Sequence, residues 1–163
     1  SLPPSITIRF LEECSATFHP RYDVIKKTYW YHIFHKQPMP WVQRYGYYIQ
    51  QPYDMQLFQQ ALQIFVGKHD FRSFCSGSDI KNTIRTIESI KLDFNHEWHA
   101  YRVSITGNGF LRYMLRRIIG ASLYVAQKRL EPERIKRILE EKNPRQTLLT
   151  APAQGLLLYE IYF

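Results

Sequence analysis

The period of the apolar residues changes within one stretch, Thr106-Gly-Asn-Gly-Phe-Leu-Arg-Tyr-Met-Leu-Arg-Arg-Ile-Ile-Gly120. Before it the residues alternate as in a strand. After it Met114, Leu115, Ile118 and Ile119 recur at helical spacing and define one buried face. Gly107-Asn108-Gly109 must therefore join a strand to a helix, so the chain needs a fold that contains both. The helix is expected from about Phe110 to Ala126, with Arg112 and Arg116 four apart on one side and Arg117 projecting elsewhere. An arginine on a core helix presents a planar cation at fixed geometry, suited to gripping a carboxylate or a phosphate. The Gly-Asn-Gly turn itself fits either an anion cradle or a plain strand-to-helix connection.

Alternation predicts strands at Ile6–Leu11, Lys26–Phe34, Gly46–Gln50, Ile84–Phe94 and Trp98–Ile105, with Asn95-His96 as a hairpin turn. On the second of these, Tyr29, Tyr31 and Ile33 share one face and Trp30, His32 and Phe34 the other. Asp54 caps a helix over Met55–Val66 whose stripe is Phe58, Ala61, Leu62 and Phe65, and Gly67 stops it. Lys68–Phe74 reads as a mixed loop leading to a polar tip at Ser76–Asp79. Pro132 opens a third helix burying Ile135, Ile138 and Leu139. Leu156–Phe163 is a last strand, apolar on both sides and so expected at a central position. This order gives an α+β fold: a mostly antiparallel or mixed sheet with helices packed on one face, in a single domain over 1–163. A chain of 163 residues is long enough for one sizeable core.

Twenty-two Lys and Arg against fourteen Asp and Glu leave a net charge of +8, and aromatics make up 15% of the chain. Two readings fit: cations and rings that hold a nucleic acid backbone and stack on unpaired bases, or a basic surface over a Tyr-rich core. Cys14 and Cys75 lack a paired spacing, so two free thiols in a reducing compartment are expected. No leader-like segment and no membrane-spanning apolar run occur, which points to a soluble, cytoplasmic protein. The six histidines show no zinc pattern. Asp70 stands among His, Arg and aromatic residues; it fits a catalytic carboxylate or, more commonly, a loop aspartate bonding nearby amides. Tyr29 is either a core tyrosine or a ring that stacks on an extruded base with its hydroxyl set for proton transfer.

Four segments, in order, resemble one family. Phe18-His-Pro-Arg-Tyr22 with Lys26-Lys-Thr-Tyr29-Trp-Tyr31 is similar to its Phe-His-Ala-Arg…Tyr-x-Tyr segment, and Gly67-Lys-His-Asp-Phe-Arg-Ser-Phe74 to its Gly-x-His-Asp-Phe-x-Ser-Phe. Asn108-Gly-Phe-Leu-Arg-Tyr-Met-Leu-Arg116-Arg-Ile-Ile-Gly120 is similar to its Asn-Ala-Phe-Leu-x-x-Met-Val-Arg-x-Ile-x-Gly. Thr150-Ala-Pro-Ala-Gln-Gly-Leu156-Leu-Leu158 matches its Thr-Ala-Pro-x-x-Gly-Leu-x-Leu. The family is tRNA pseudouridine synthase A.

The resemblance implies a ferredoxin-like pseudouridine synthase half and isomerisation of uridine in the anticodon arm of tRNA. It implies no cofactor, no metal and a homodimer that holds tRNA across both subunits. It gives Tyr29 the role of stacking on the target uracil and acting as base. Arg116 would pair with the catalytic carboxylate, and Leu156 would line that pocket. Lys68, His69, Arg72, Arg112 and Arg117, in the same motifs, are the candidate substrate-binding residues. The family's Gly-Arg-Thr-Asp segment, which carries the nucleophile, does not occur here. The chain thus reads as a carboxy-terminal half, and its Ser1 start suggests a cut piece of a longer gene product. A non-catalytic basic RNA-binding domain is the alternative.

Overall fold

The computed structural model describes residues 2–77 and 80–163. Its sheet is built on one strand, β1 (Lys26–Phe34), with the expected bounds. β1 runs antiparallel to β5 (Ala100–Gly107), which runs antiparallel to β4 (Ile84–Asn95). β4 pairs with β3 (Gly67–Asp70). The other edge of β1 is shared: β6 (Leu156–Tyr162) runs antiparallel along its first part, and β2 (Tyr47–Tyr48) lies parallel to its end. This is a six-stranded mixed sheet.

Register follows burial. Ile90, Leu92 and Phe94 stand opposite Ile105, Val103 and Tyr101, so these sets lie on one face of the sheet. Tyr31 and Ile33 join them in the main core. On that face pack α1 (Met55–Gln63), α2 (Met114–Ala126) and α3 (Pro132–Glu141), each through the stripe its sequence carries. Asp54 Oδ1 accepts the amides of Gln56 and Leu57 at 2.9 and 3.1 Å, satisfying two of the donors a helix start leaves open. The α+β class with helices on one face therefore stands.

Several local expectations do not. Ile6–Leu11 forms no strand; its side chains are exposed, Leu11 to 94%, because no described strand pairs with it. Lys68–Phe74 is not a loop: Gly67–Asp70 is β3, followed by a 3-10 turn at Arg72–Phe74. Its polar composition suits an edge strand and hides it from an apolar pattern. The hairpin turn spans His96–His99, with Asn95 Oδ1 accepting the Trp98 amide at 2.9 Å. α1 ends at Gln63, and β2 is two residues long. The tip at Ser76–Asp79 lies partly outside the described residues, since 78 and 79 are not among them.

Two corrections bear on function. α2 begins at Met114, not Phe110, after Tyr113 in a left-handed conformation (φ 64°), so Arg112 precedes the helix and the four-residue spacing to Arg116 does not apply. β6 is not central. It pairs with β1 alone among the described strands, and Leu157, Leu158, Tyr159 and Ile161 are exposed. A strand apolar on both sides can be covered by something other than neighbouring strands of its own sheet.

On the face away from the helices, His32 is 3% exposed, tilted against Trp98 at 5.0 Å and edge-on to Trp30 at 6.1 Å. Burial lowers its pKa below the ordinary 6.5, and the Arg102 guanidinium lowers it further. A depressed folded pKa means the fold holds the neutral ring. That stability is present above about pH 6.5 and is lost as pH falls through the folded value. Thermal melts should therefore lose midpoint temperature below pH 6.5, and His32→Phe should flatten that loss. An unchanged slope in the variant would show that other groups carry it.

Candidate active site

Three distant stretches meet beside the start of α2. Tyr29 of β1, the segment Phe110–Arg116 and Leu156 at the head of β6 line one cavity of about 400 Å³. Tyr29 reaches it because β1 alternates: its ring lies on the helix-bearing face, two residues before the buried Tyr31. Phe110 meets that ring edge-to-face, centroids 5.3 Å apart, and fixes its plane. Burial pushes the Tyr29 phenol above its ordinary value, so it is protonated at neutral pH.

Arg116 stands in the first turn of α2 with its guanidinium 5.1 Å over the Tyr113 ring. Arg112, from the turn before the helix, lies over the same ring at 5.2 Å and also lines the cavity. Two cations held against one ring concentrate positive charge where an anion would enter. No carboxylate pairs with Arg116 among the described residues.

Arg116 is aimed by a strap, residues 147–155. Its Nε donates to Ala151 O at 2.6 Å, while its own carbonyl accepts the Ala151 amide at 3.0 Å. The strap lies against α2 at Gly120, where a Cβ would fall 2.1 Å from Leu149 O; only hydrogen fits there. The Tyr31 hydroxyl donates to Pro152 O at 2.8 Å, and the Gln154 amide donates to Gly46 O at 2.9 Å.

The remaining candidates separate from this group. Lys68 and His69 line a different cavity of about 380 Å³ with Asp70, Leu139, Glu140 and Lys142, between β3 and α3. The Arg72 guanidinium donates to Ile80 O at 2.6 Å and that of Arg117 to Cys75 O at 2.5 Å, so both are occupied in tying loops. Asp70 accepts from Thr83 Oγ1 at 2.5 Å and from the Arg72 amide at 3.1 Å, as a loop-organising aspartate does. Both cysteines are free thiols, Cys14 exposed and Cys75 buried. No three His, Cys, Asp or Glu among the described residues converge on a metal-sized site. None of the described helices is long and apolar enough to cross a membrane.

Sequence reasoning did not single out Phe110 and Tyr113 as cavity residues. Their place beside Gly109 and Arg112 was the available signal, but the left-handed conformation of Tyr113 leaves no periodic trace.

A strand tyrosine, a helix-start arginine and an apolar strand head thus line one cavity on an α+β frame. The chain belongs to the tRNA pseudouridine synthase family, whose model, described as tRNA pseudouridine synthase, matches residues 61–163. It is 34% identical to "tRNA pseudouridine synthase A" of Thermotoga sp. (strain RQ2), covering 100% of this chain and 66% of that protein. It is 36% identical to "tRNA pseudouridine synthase A" of Chlamydia pneumoniae (99% of this chain, 61% of that protein). To "tRNA pseudouridine synthase A 1" of Bacillus cereus (strain ATCC 14579) it is 38% identical, over 99% of this chain and 66% of that protein. The chain thus spans less than two thirds of the length of these curated relatives.

Proposed function

We propose that this chain is the carboxy-terminal domain of a cytoplasmic tRNA pseudouridine synthase and forms one wall of its active site. The substrate is a uridine in the anticodon stem-loop. In the reaction the bond from C1′ of the ribose to N1 of uracil breaks, the base turns, and C1′ joins C5, whose proton is then lost. An aspartate from a segment outside this sequence starts the cleavage. Arg116 keeps that carboxylate ionised within the pocket, since a partly buried anion needs a fixed cation. Tyr29 stacks on the extruded uracil and relays the C5 proton, taking it as its own phenolic proton passes to the released aspartate, and Leu156 keeps the pocket dry. Arg112 meets the phosphate beside the flipped base. Lys68, His69, Arg72 and Arg117 hold the RNA further out, the last two chiefly by shaping the loops that meet it.

The observation that carries this reading is the convergence of Tyr29, Arg116 and Leu156 on one cavity. The net charge of +8 supports a polyanionic substrate, and the relatives' names supply tRNA. The exposed apolar residues of β6 suit burial against the rest of the enzyme or a second copy, in keeping with a homodimer that spans one tRNA.

The test is pseudouridine formation on unmodified tRNA. The full-length protein should isomerise anticodon-arm uridines, and residues 1–163 alone should not. tRNA binding by either should weaken steeply with salt, as phosphate contacts require. Salt-sensitive binding with no turnover by the full-length protein would instead favour a binding module.

A further inference from the structure

Tyr31 is fully buried, two residues from Tyr29 on the same face of β1. Its hydroxyl donates to Pro152 O at 2.8 Å. Pro152 follows Ala151, whose carbonyl receives Arg116 Nε at 2.6 Å. The phenol and the guanidinium are therefore linked through one stretch of backbone, Ala151-Pro152. Proline has no N–H, so its carbonyl is the only main-chain handle at that position, and Tyr31 occupies it. The ring lies flat against Gly155, where a Cβ would fall 2.6 Å from Tyr31 Cζ.

We propose that Tyr31 is a positioning residue for Arg116: its hydroxyl fixes the peptide that fixes the angle of the guanidinium. The proposal rests on Arg116 acting as the partner of the catalytic carboxylate. It goes beyond that role by assigning the aim of the guanidinium to a side chain that touches neither the cavity nor the substrate. Tyr31 is not among the residues that line the cavity, and its hydroxyl is bonded to the strap. Among the described residues Ala151 O is the acceptor that holds the guanidinium, through Nε, so the guanidinium follows it when it moves. Displacements near 1 Å at a reacting centre cost on the order of a hundredfold in rate.

The experiment is a double-mutant cycle in the full-length enzyme, read by single-turnover isomerisation and by tRNA affinity. Tyr31→Phe keeps the buried ring and removes only the hydroxyl. It should lower the rate constant about ten- to a hundredfold with unchanged tRNA affinity. Added to Arg116→Ala, it should cause no further loss, because there is no guanidinium left to aim. As a control, Tyr53→Phe removes another buried hydroxyl, one without a hydrogen-bond partner among the described residues, and should leave the rate unchanged. An equal fractional loss from Tyr31→Phe in both backgrounds, or a lowered melting point at a normal rate, would overturn the positioning role while leaving Arg116 in place. A near-normal rate for Arg116→Ala would overturn the reading of the site itself, and this proposal with it.

Discussion

Arg116→Ala in the full-length enzyme should lower the rate of isomerisation by about 10²- to 10⁴-fold, with tRNA affinity reduced far less. On the proposed reading, losing Arg116 leaves the catalytic carboxylate buried and unpaired, and breaking a buried ion pair costs about 3–5 kcal/mol. At about 1.4 kcal/mol for each factor of ten, that corresponds to two to four orders of magnitude. Arg116→Lys is the sharper version. Lysine keeps the charge, but it has no Nε to donate to Ala151 and no planar fork, so it can neither be aimed by the strap nor pair through two parallel bonds. A loss of about ten- to a hundredfold is expected for Lys. Single-turnover assays on one defined anticodon arm measure both. If Lys restores full activity, charge alone suffices and the strap geometry is irrelevant.

The second large effect belongs to Tyr29, where ring and hydroxyl can be separated. Tyr29→Phe retains the disc and its edge contact with Phe110, so binding should hold. Loss of a positioned acid–base group should cost about 10²- to 10⁴-fold in rate. Tyr29→Leu should lose the stacking as well, on the order of 1–3 kcal/mol per base, and that part should appear as weaker tRNA binding. A near-normal rate for Tyr29→Phe beside a weakened Tyr29→Leu would show that Tyr29 is only a stacking surface.

The frame was legible wherever local chemistry decides structure. β1 has its expected bounds because nine residues of β-prone sequence alternate without interruption. The Asp54 cap and the Pro132 start are set by side chains within a turn of the helix end. The misread strands share one cause: they are decided by partners. Ile6–Leu11 has a strand's pattern and no described neighbour to pair with, while Gly67–Asp70 has no strand pattern and acquires one from β4. The start of α2 moved because Tyr113 adopts a left-handed conformation that no apolar period encodes.

The site was legible as motifs but not as a place. Nothing in the spacing of Tyr29, Arg116 and Leu156 says that β1, α2 and β6 deliver them to one cavity; the pairing of β6 with β1 does that. Arg72 and Arg117 looked like free cations, and the backbone carbonyls that occupy them lie 8 and 42 residues away. Tyr31, a plain core residue by sequence, touches the strap only because residue 155 is glycine.

The outer edge of β6 has a practical consequence for anyone handling residues 1–163 by themselves. Its main-chain donors and acceptors face no described strand, and both of its surfaces carry Leu, Tyr and Ile in the open. Such a ribbon templates further strands, so concentrated stocks of the domain alone invite precipitation through edge-to-edge association.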